Sequence, residues 1–150
     1  MKRFLIFVLM SIFAMTLSAK EYTVKMLNVG SDGKSMVFEP AVLNVAAGDV
    51  VKFIATDQGH NTLSAYIPNG AKPWQSEISK DFVVTFDKEG VYFYECEPHL
   101  VLGMVGIINV GNKLNKDEVN TNKAKLLNSI LTPDGKQRLE DYVSSLPVSS

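Results

Sequence analysis

Between Glu21 and Val110 the apolar residues come in short bursts separated by turn signals, not in the long 3.6-residue rhythm of helices. Tyr22–Leu27 begins with alternation of period two and is turned by Ser31-Asp32-Gly33. Met36–Pro40 and Val42–Val45 follow, with Pro40 marking a kink or an edge position. Ala47-Gly48-Asp49 turns the chain into Val50–Ala55. Phe82–Phe86 runs through Lys88-Glu89-Gly90 into Val91–Cys96, and Met104–Val110 ends the series. Short strands at this spacing predict an antiparallel sandwich or barrel. The stretch Gly59–Lys80, with Pro68-Asn69-Gly70 and Pro73, reads as loops between sandwich edges.

After Gly111 the period changes. Val119, Leu126, Leu127, Ile130 and Leu131 recur at helical spacing. Thr132-Pro133 is an N-cap followed by proline at the first helical position, and Leu139, Tyr142, Val143 and Leu146 continue one apolar face. Two short amphipathic helices are expected to fold back on the sandwich. At the other end, Lys2 and Arg3 precede a largely apolar run, Phe4–Leu17, closed by Ser18-Ala19. That is the pattern of a secretory signal peptide cleaved after Ala19, and its length falls short of the ~20 residues of a membrane span. The expected organisation is a signal peptide over 1–19, a β domain over 20–111 and a helical extension over 112–150. No stable membrane insertion and a monomer are expected.

Composition narrows the function. The chain of 150 residues has 15 Lys plus Arg against 16 Asp plus Glu. Removing residues 1–19 takes away two cations and leaves 13 against 16, or −3, so a nucleic-acid binder is not expected. The single cysteine, Cys96, excludes an internal disulfide and zinc sites of the multi-cysteine kind. In an exported protein an unpaired thiol is exposed to oxidation unless something such as a bound metal protects it.

Cys96 opens the run Cys-Glu-Pro-His-Leu-Val-Leu-Gly-Met, so Cys96, His99 and Met104 share one loop between two strands. The other histidine, His60, lies in a loop after Val50–Ala55. Taken singly, each has an ordinary explanation: a buried small hydrophobe, a surface histidine, a turn residue, a core methionine. Together they offer a thiolate, two imidazoles and a weak thioether, the description of a blue-copper electron-transfer site. Thiolate and thioether favour Cu(I), and imidazole accepts either oxidation state.

The chain resembles the cupredoxin family, and within it the pseudoazurins most. The likeness runs in order through Met36-Val37-Phe38-Glu39-Pro40, Gly48-Asp49, Gly59-His60-Asn61, Ile67-Pro68 with Gly70-Ala71, Gly90-Val91-Tyr92, and Cys96-x-Pro98-His99 with Gly103-Met104. It covers about residues 21–111 and extends to the paired C-terminal helices. It implies an all-β fold, a Greek-key β-sandwich with two C-terminal α-helices. It also implies one type 1 copper ion, held by His60, Cys96, His99 and Met104. Asn61 would direct its backbone N–H at the Cys96 sulfur and tie the two ligand loops together with its side chain. Pro98 would withhold a second N–H from that sulfur, and Met36 would pack on the His99 imidazole.

The implied role is a diffusible periplasmic one-electron carrier, not an enzyme, serving a partner such as a reductase or a c-type cytochrome. A copper-binding or chaperone protein of the periplasm is the alternative. Pseudoazurins commonly ring the metal end with lysines, but Val29, Gln58, Gln75 and Glu95 stand where such lysines often sit, and Glu97 adds a carboxylate. Lys20–Gly111 holds 7 basic and 11 acidic residues, or −4. Docking is therefore expected to rest on an apolar patch of Leu100, Val101, Leu102 and Pro68 around His99.

Overall fold

The computed structural model describes residues 18–147; the signal-peptide reading lies almost wholly outside them. Eight strands form two four-stranded sheets. Strands β1 (Glu21–Val29), β2 (Ser35–Glu39), β4 (Asp49–Ile54) and β6 (Phe82–Phe86) make one, in the order β2-β1-β4-β6. Strands β3 (Val42–Val45), β5 (Leu63–Tyr66), β7 (Gly90–Glu95) and β8 (Val105–Val110) make the other, in the order β3-β8-β7-β5. Pro40 stands where the chain leaves the first sheet for the second.

Two features depart from the sequence expectation. The pairs β1·β4 and β3·β8 are parallel, so the sandwich is mixed and not purely antiparallel. Strand β5 lies inside the stretch read as loop. All four of its residues are half-buried, so it shows no alternation for a period-two reading to find. Its register on β7 also shifts between Ser64 and Tyr66.

The core follows from the pleat. Tyr92, Tyr94 and Cys96 point to the face shared with Val24, Met26, Phe38, Val51 and Phe53 of the opposite sheet. The alternate residues Val91 and Phe93 point the other way, with Val105 and Ile107 of β8. That outer face is covered by helices α1 (Lys116–Ser129) and α2 (Pro133–Ser144), whose Val119, Leu126 and Leu139 complete a second apolar cluster with Ile130 and Leu146. Every residue of β8 is therefore buried, which accounts for a run that is apolar except for Asn109, whose amide donates to Asn44 Oδ1 at 2.9 Å. Thr132 caps α2, its hydroxyl accepting from the Gly135 N–H at 3.1 Å, as the Thr-Pro signal predicts. Leu131 departs from its helical reading. It lies in the link between the helices and is 72% exposed.

Tyr94 sets the packing at the centre. Its ring meets Phe38 and Phe53 edge-on, with centroids 4.7 and 5.2 Å away. Space for it exists because the facing position on β8 is Gly106, where a Cβ would overlap the phenol ring. Gly106→Ala is expected to cost on the order of 1–3 kcal/mol by overpacking, read from the denaturant midpoint. A loss under about 0.5 kcal/mol would show that the ring swings aside freely.

Candidate metal centre

The end of β7 and the start of β8 are joined by a short loop that folds back on itself. Cys96 caps a 3-10 turn over Glu97–Leu102, with Pro98 in its first turn, and Gly103 ends it at φ 82°, a left-handed conformation that glycine adopts without strain. The His99 N–H donates to the Cys96 carbonyl at 3.1 Å, the Met104 N–H to the His99 carbonyl at 3.2 Å, and the Cys96 N–H to the Met104 carbonyl at 3.0 Å. Nine residues thus return to their starting point, and the backbones of Cys96, His99 and Met104 become neighbours. Cys96 and Met104 are both fully buried in the same core cluster.

His60 arrives on a separate loop between β4 and β5. Gly59 turns it at φ 92°, and its N–H donates to Ser79 Oγ at 2.8 Å. The Ser79 N–H donates to the His60 carbonyl at 2.7 Å. The loop carrying His60 is thereby fixed to the segment before β6.

The three strong donors converge. His60 Nδ1 and His99 Nδ1 lie 3.1 Å apart, and Cys96 Sγ is 3.7 and 3.5 Å from them. The possible ligand atoms of the three residues all lie within 4.8 Å of one another. Around one ion, metal–nitrogen bonds of about 2.0 Å and metal–sulfur bonds of about 2.3 Å give edges of this size. His60 is fully buried, whereas His99 is half-buried, so one imidazole reaches toward the surface.

Neighbouring groups orient these donors. His60 Nε2 is 3.0 Å from Asn28 Oδ1, and the Asn28 N–H donates to Asp57 Oδ2 at 2.6 Å. With Nε2–H given to an amide oxygen, neutral His60 presents the bare lone pair of Nδ1 to the centre. Burial, with His99 close by, also lowers its pKa and favours the neutral ring. Asn61 accepts the Glu97 N–H on Oδ1 at 2.9 Å, and its amide group donates to Glu97 Oε2 at 3.2 Å. Its side chain therefore does span the two loops. Gln75 Nε2 donates to the same carboxylate at 3.3 Å. Burial pushes the Cys96 thiol pKa up, while the backbone N–H groups of Asn61 and His99 pull it down. The Glu95 carboxyl is raised by burial and by Glu97.

Some expected residues are placed elsewhere. Pro68 packs where a Cβ on Gly90 would sit, at the start of β7, so roughly 16 Å of strand separates it from the loop carrying His99. It does not belong to a patch around His99. Leu100 is half-buried against the helical cluster, leaving Val101 and Leu102 as the exposed members at 45% and 37%. Met36 is half-buried against the main core, at φ 53°. Asn28 carried no sequence signal, because an asparagine near a strand end is an ordinary turn former. Glu97 was legible only as a charge.

The comparisons agree with this geometry. The family model described as copper binding proteins, plastocyanin/azurin family, matches residues 24–111. Pseudoazurin of Methylorubrum extorquens is 46% identical over 98 residues, or 64% of this chain and 66% of the relative. Pseudoazurin of Paracoccus pantotrophus is 38% identical over 96 residues, or 63% of this chain and 66% of the relative. The match thus spans slightly under two thirds of either relative's length. The crystal structure of pseudoazurin from Methylobacterium extorquens superposes with a TM-score of 0.72 at 37% identity, covering 85% of this chain and 99% of that one. The chain belongs to the plastocyanin/azurin family of copper-binding proteins, as a pseudoazurin-like cupredoxin.

Proposed function

We propose that this protein carries single electrons between redox proteins of the periplasm, on one type 1 copper ion held by His60, Cys96, His99 and Met104. The single observation behind the ligand set is the convergence of two imidazole nitrogens and one thiol sulfur at 3.1–3.7 Å. When bound, the copper supplies a Cu(II)/Cu(I) couple, with thiolate and thioether favouring the reduced state and imidazole serving both. The chain's part is to fix the donors beforehand. Asn28 holds the His60 tautomer, and Asn61 and Glu97 lock the two loops at a fixed distance. Pro98 offers the sulfur no N–H. The buried side of the centre excludes water. The half-buried His99 ring forms the exit.

The surface around that exit suits brief contact with another protein. Of the six large apolar side chains exposed among the described residues, Val101 and Leu102 follow His99 in its loop. Leu131 joins them, its N–H donating to the Val101 carbonyl at 2.8 Å. Val29 adjoins Asn28 and Ile78 adjoins Ser79, both next to residues bonded to His60. An apolar face with a water-permeable rim permits fast release, which an electron carrier needs. Residues 1–19 act as the export signal, 20–111 form the copper domain and 112–150 the helical extension packed on it. With both histidines at this centre, none remains to build a second metal site for substrate.

Cupric ion added to the purified protein is expected to give an intense visible sulfur-to-copper charge-transfer band at one equivalent, absent in Cys96→Ala. A protein that stays colourless overturns the ligand set. Rapid one-electron cycling without metal loss separates a carrier from a copper chaperone, which would release the ion to a chelator or acceptor. Val101→Lys is expected to slow electron self-exchange roughly tenfold with the band unchanged. Association with an acidic-faced partner should vary little with ionic strength, whereas a steep fall with added salt would show lysine-type steering.

A further inference from the structure

The Glu97–Leu102 turn contains no fully buried residue, and its apolar anchorage is limited to Leu100, half-buried against the helical cluster. Its first half is tied to Asn61. Its second half is held by the C-terminal extension. The Leu131 N–H donates to the Val101 carbonyl at 2.8 Å, and Thr132 Oγ1 donates to the Leu102 carbonyl at 3.2 Å. Gly103 and Gly135 approach so closely that a Cβ on Gly103 would overlap the Gly135 Cα.

At the centre of these contacts lies Arg138 of α2, only 3% exposed. Its Nη2 donates to the Leu102 carbonyl at 2.7 Å, and its Nη1 to the carbonyls of Ser35 and Met36, both at 3.1 Å. Its Nε is 3.1 Å from Asp134 Oδ2, one turn earlier on the same helix. A guanidinium so deeply buried is costly unless its N–H groups are used, and here the two Nη groups clamp backbone from two segments, while Nε makes an ion pair with Asp134 but no hydrogen bond among the described residues. One is the metal-binding loop. The other is the start of β2, where Met36 takes its positive φ.

We propose that Arg138 is a positioning residue of the metal centre, holding the Leu102 end of the ligand loop and the Met36 backbone in one fixed relation without touching the ion. The planar fork is essential to this role. A lysine ammonium offers three donors from one point and does not serve carbonyls on two sides. The helical extension is then part of the centre's support, not an appendage to the sandwich. The consequence for copper rests on the ligand set proposed above, but the positional claim does not, and its test needs no metal.

The experiment is amide hydrogen exchange on the metal-free full-length mature chain, comparing the wild type with Arg138→Met and Arg138→Lys. The Gly103, Met104 and Leu131 amides, which bond within or onto the loop, are expected to exchange at least about tenfold faster in both variants. Phe93 and Ile108 in the sheet core are expected to stay within about twofold. Acceleration of all five by a common factor would mark a general loss of stability and overturn the proposal, as would unchanged loop amides. If Arg138→Met does not fold, Arg138→Lys carries the same comparison, and Thr132→Ala supplies a milder release of the Leu102 carbonyl with the same expected pattern. In copper-loaded Arg138→Lys the charge-transfer band is expected to move or change intensity while the metal stays bound. Failure of the wild type to bind copper would overturn the ligand set and leave the exchange result to decide the role of Arg138.

Discussion

Two imidazole nitrogens and a sulfur face one another across 3.1–3.7 Å, and at least one of those nitrogens presents a bare lone pair. That arrangement is the constraint on which the rest of the molecule depends. Lone pairs do not gather unaided, because like electrostatic ends repel and each buried donor loses its hydration. The fold must therefore impose the convergence from outside. It does so by fixing the far side of each donor. Asn28 takes the outer N–H of His60, Ser79 pins the backbone of the same residue, and the three backbone bonds among Cys96, His99 and Met104 close the ligand loop on itself. An ion placed between the donors satisfies all of them at once, which is why the donor set and the family's copper chemistry agree.

The sandwich supplies the reference frame for this convergence. Cys96 extends β7 and Met104 immediately precedes β8, and these two strands pair in register from Gly90↔Val110 to Glu95↔Val105. The loop's two ends are thus held a strand spacing apart by a ladder of hydrogen bonds. Because β7 is flanked by β5 and β8, and β8 by β3, neither is an edge that frays. Tyr94, seated over Gly106 and between Phe38 and Phe53, resists sliding of that register. A one-residue slip would turn Cys96 to the helical side of the sheet. The aromatic packing and the metal centre are in this sense one problem: the first keeps the second facing the correct way.

Most of the fold was legible because the sandwich face of each strand is apolar and its turns carry glycine, proline or aspartate. The four donors were legible because the only cysteine, both histidines and one methionine stood at ligand spacing. What stayed hidden has particular causes. Strand β5 is half-buried along its whole length, so it shows no alternation. The parallel pairings are tertiary facts, since β1 meets β4 only after β2 and β3 have intervened. Leu131 kept helical spacing with Leu127 but falls in the link where the chain reverses, and so it turns outward beside Val101. Pro68 matched a family motif by order, and order along the chain says nothing of which end of β7 it reaches. Asn28 and Arg138 act on the centre through single hydrogen bonds across 32 and 36 residues of sequence, which no local pattern encodes.

The helical pair resolves a tension between burial and access. The half-buried His99 is the electron exit in the function proposed above, and none of Glu97–Leu102 around it is buried. A loop with so little buried surface is ordinarily mobile, and mobility would let the donors drift. Besides the packing of Leu100, hydrogen bonds from a rigid neighbour hold the segment still, and Arg138 of α2 with Leu131 and Thr132 of the link before it supply them, above a base sealed by Leu139 and Ile130 against the outer face of the sheet. The same contacts place Leu131 on the exposed apolar face. One element therefore steadies the loop from behind and widens the surface in front, so that rigidity of the centre is gained without closing its exit.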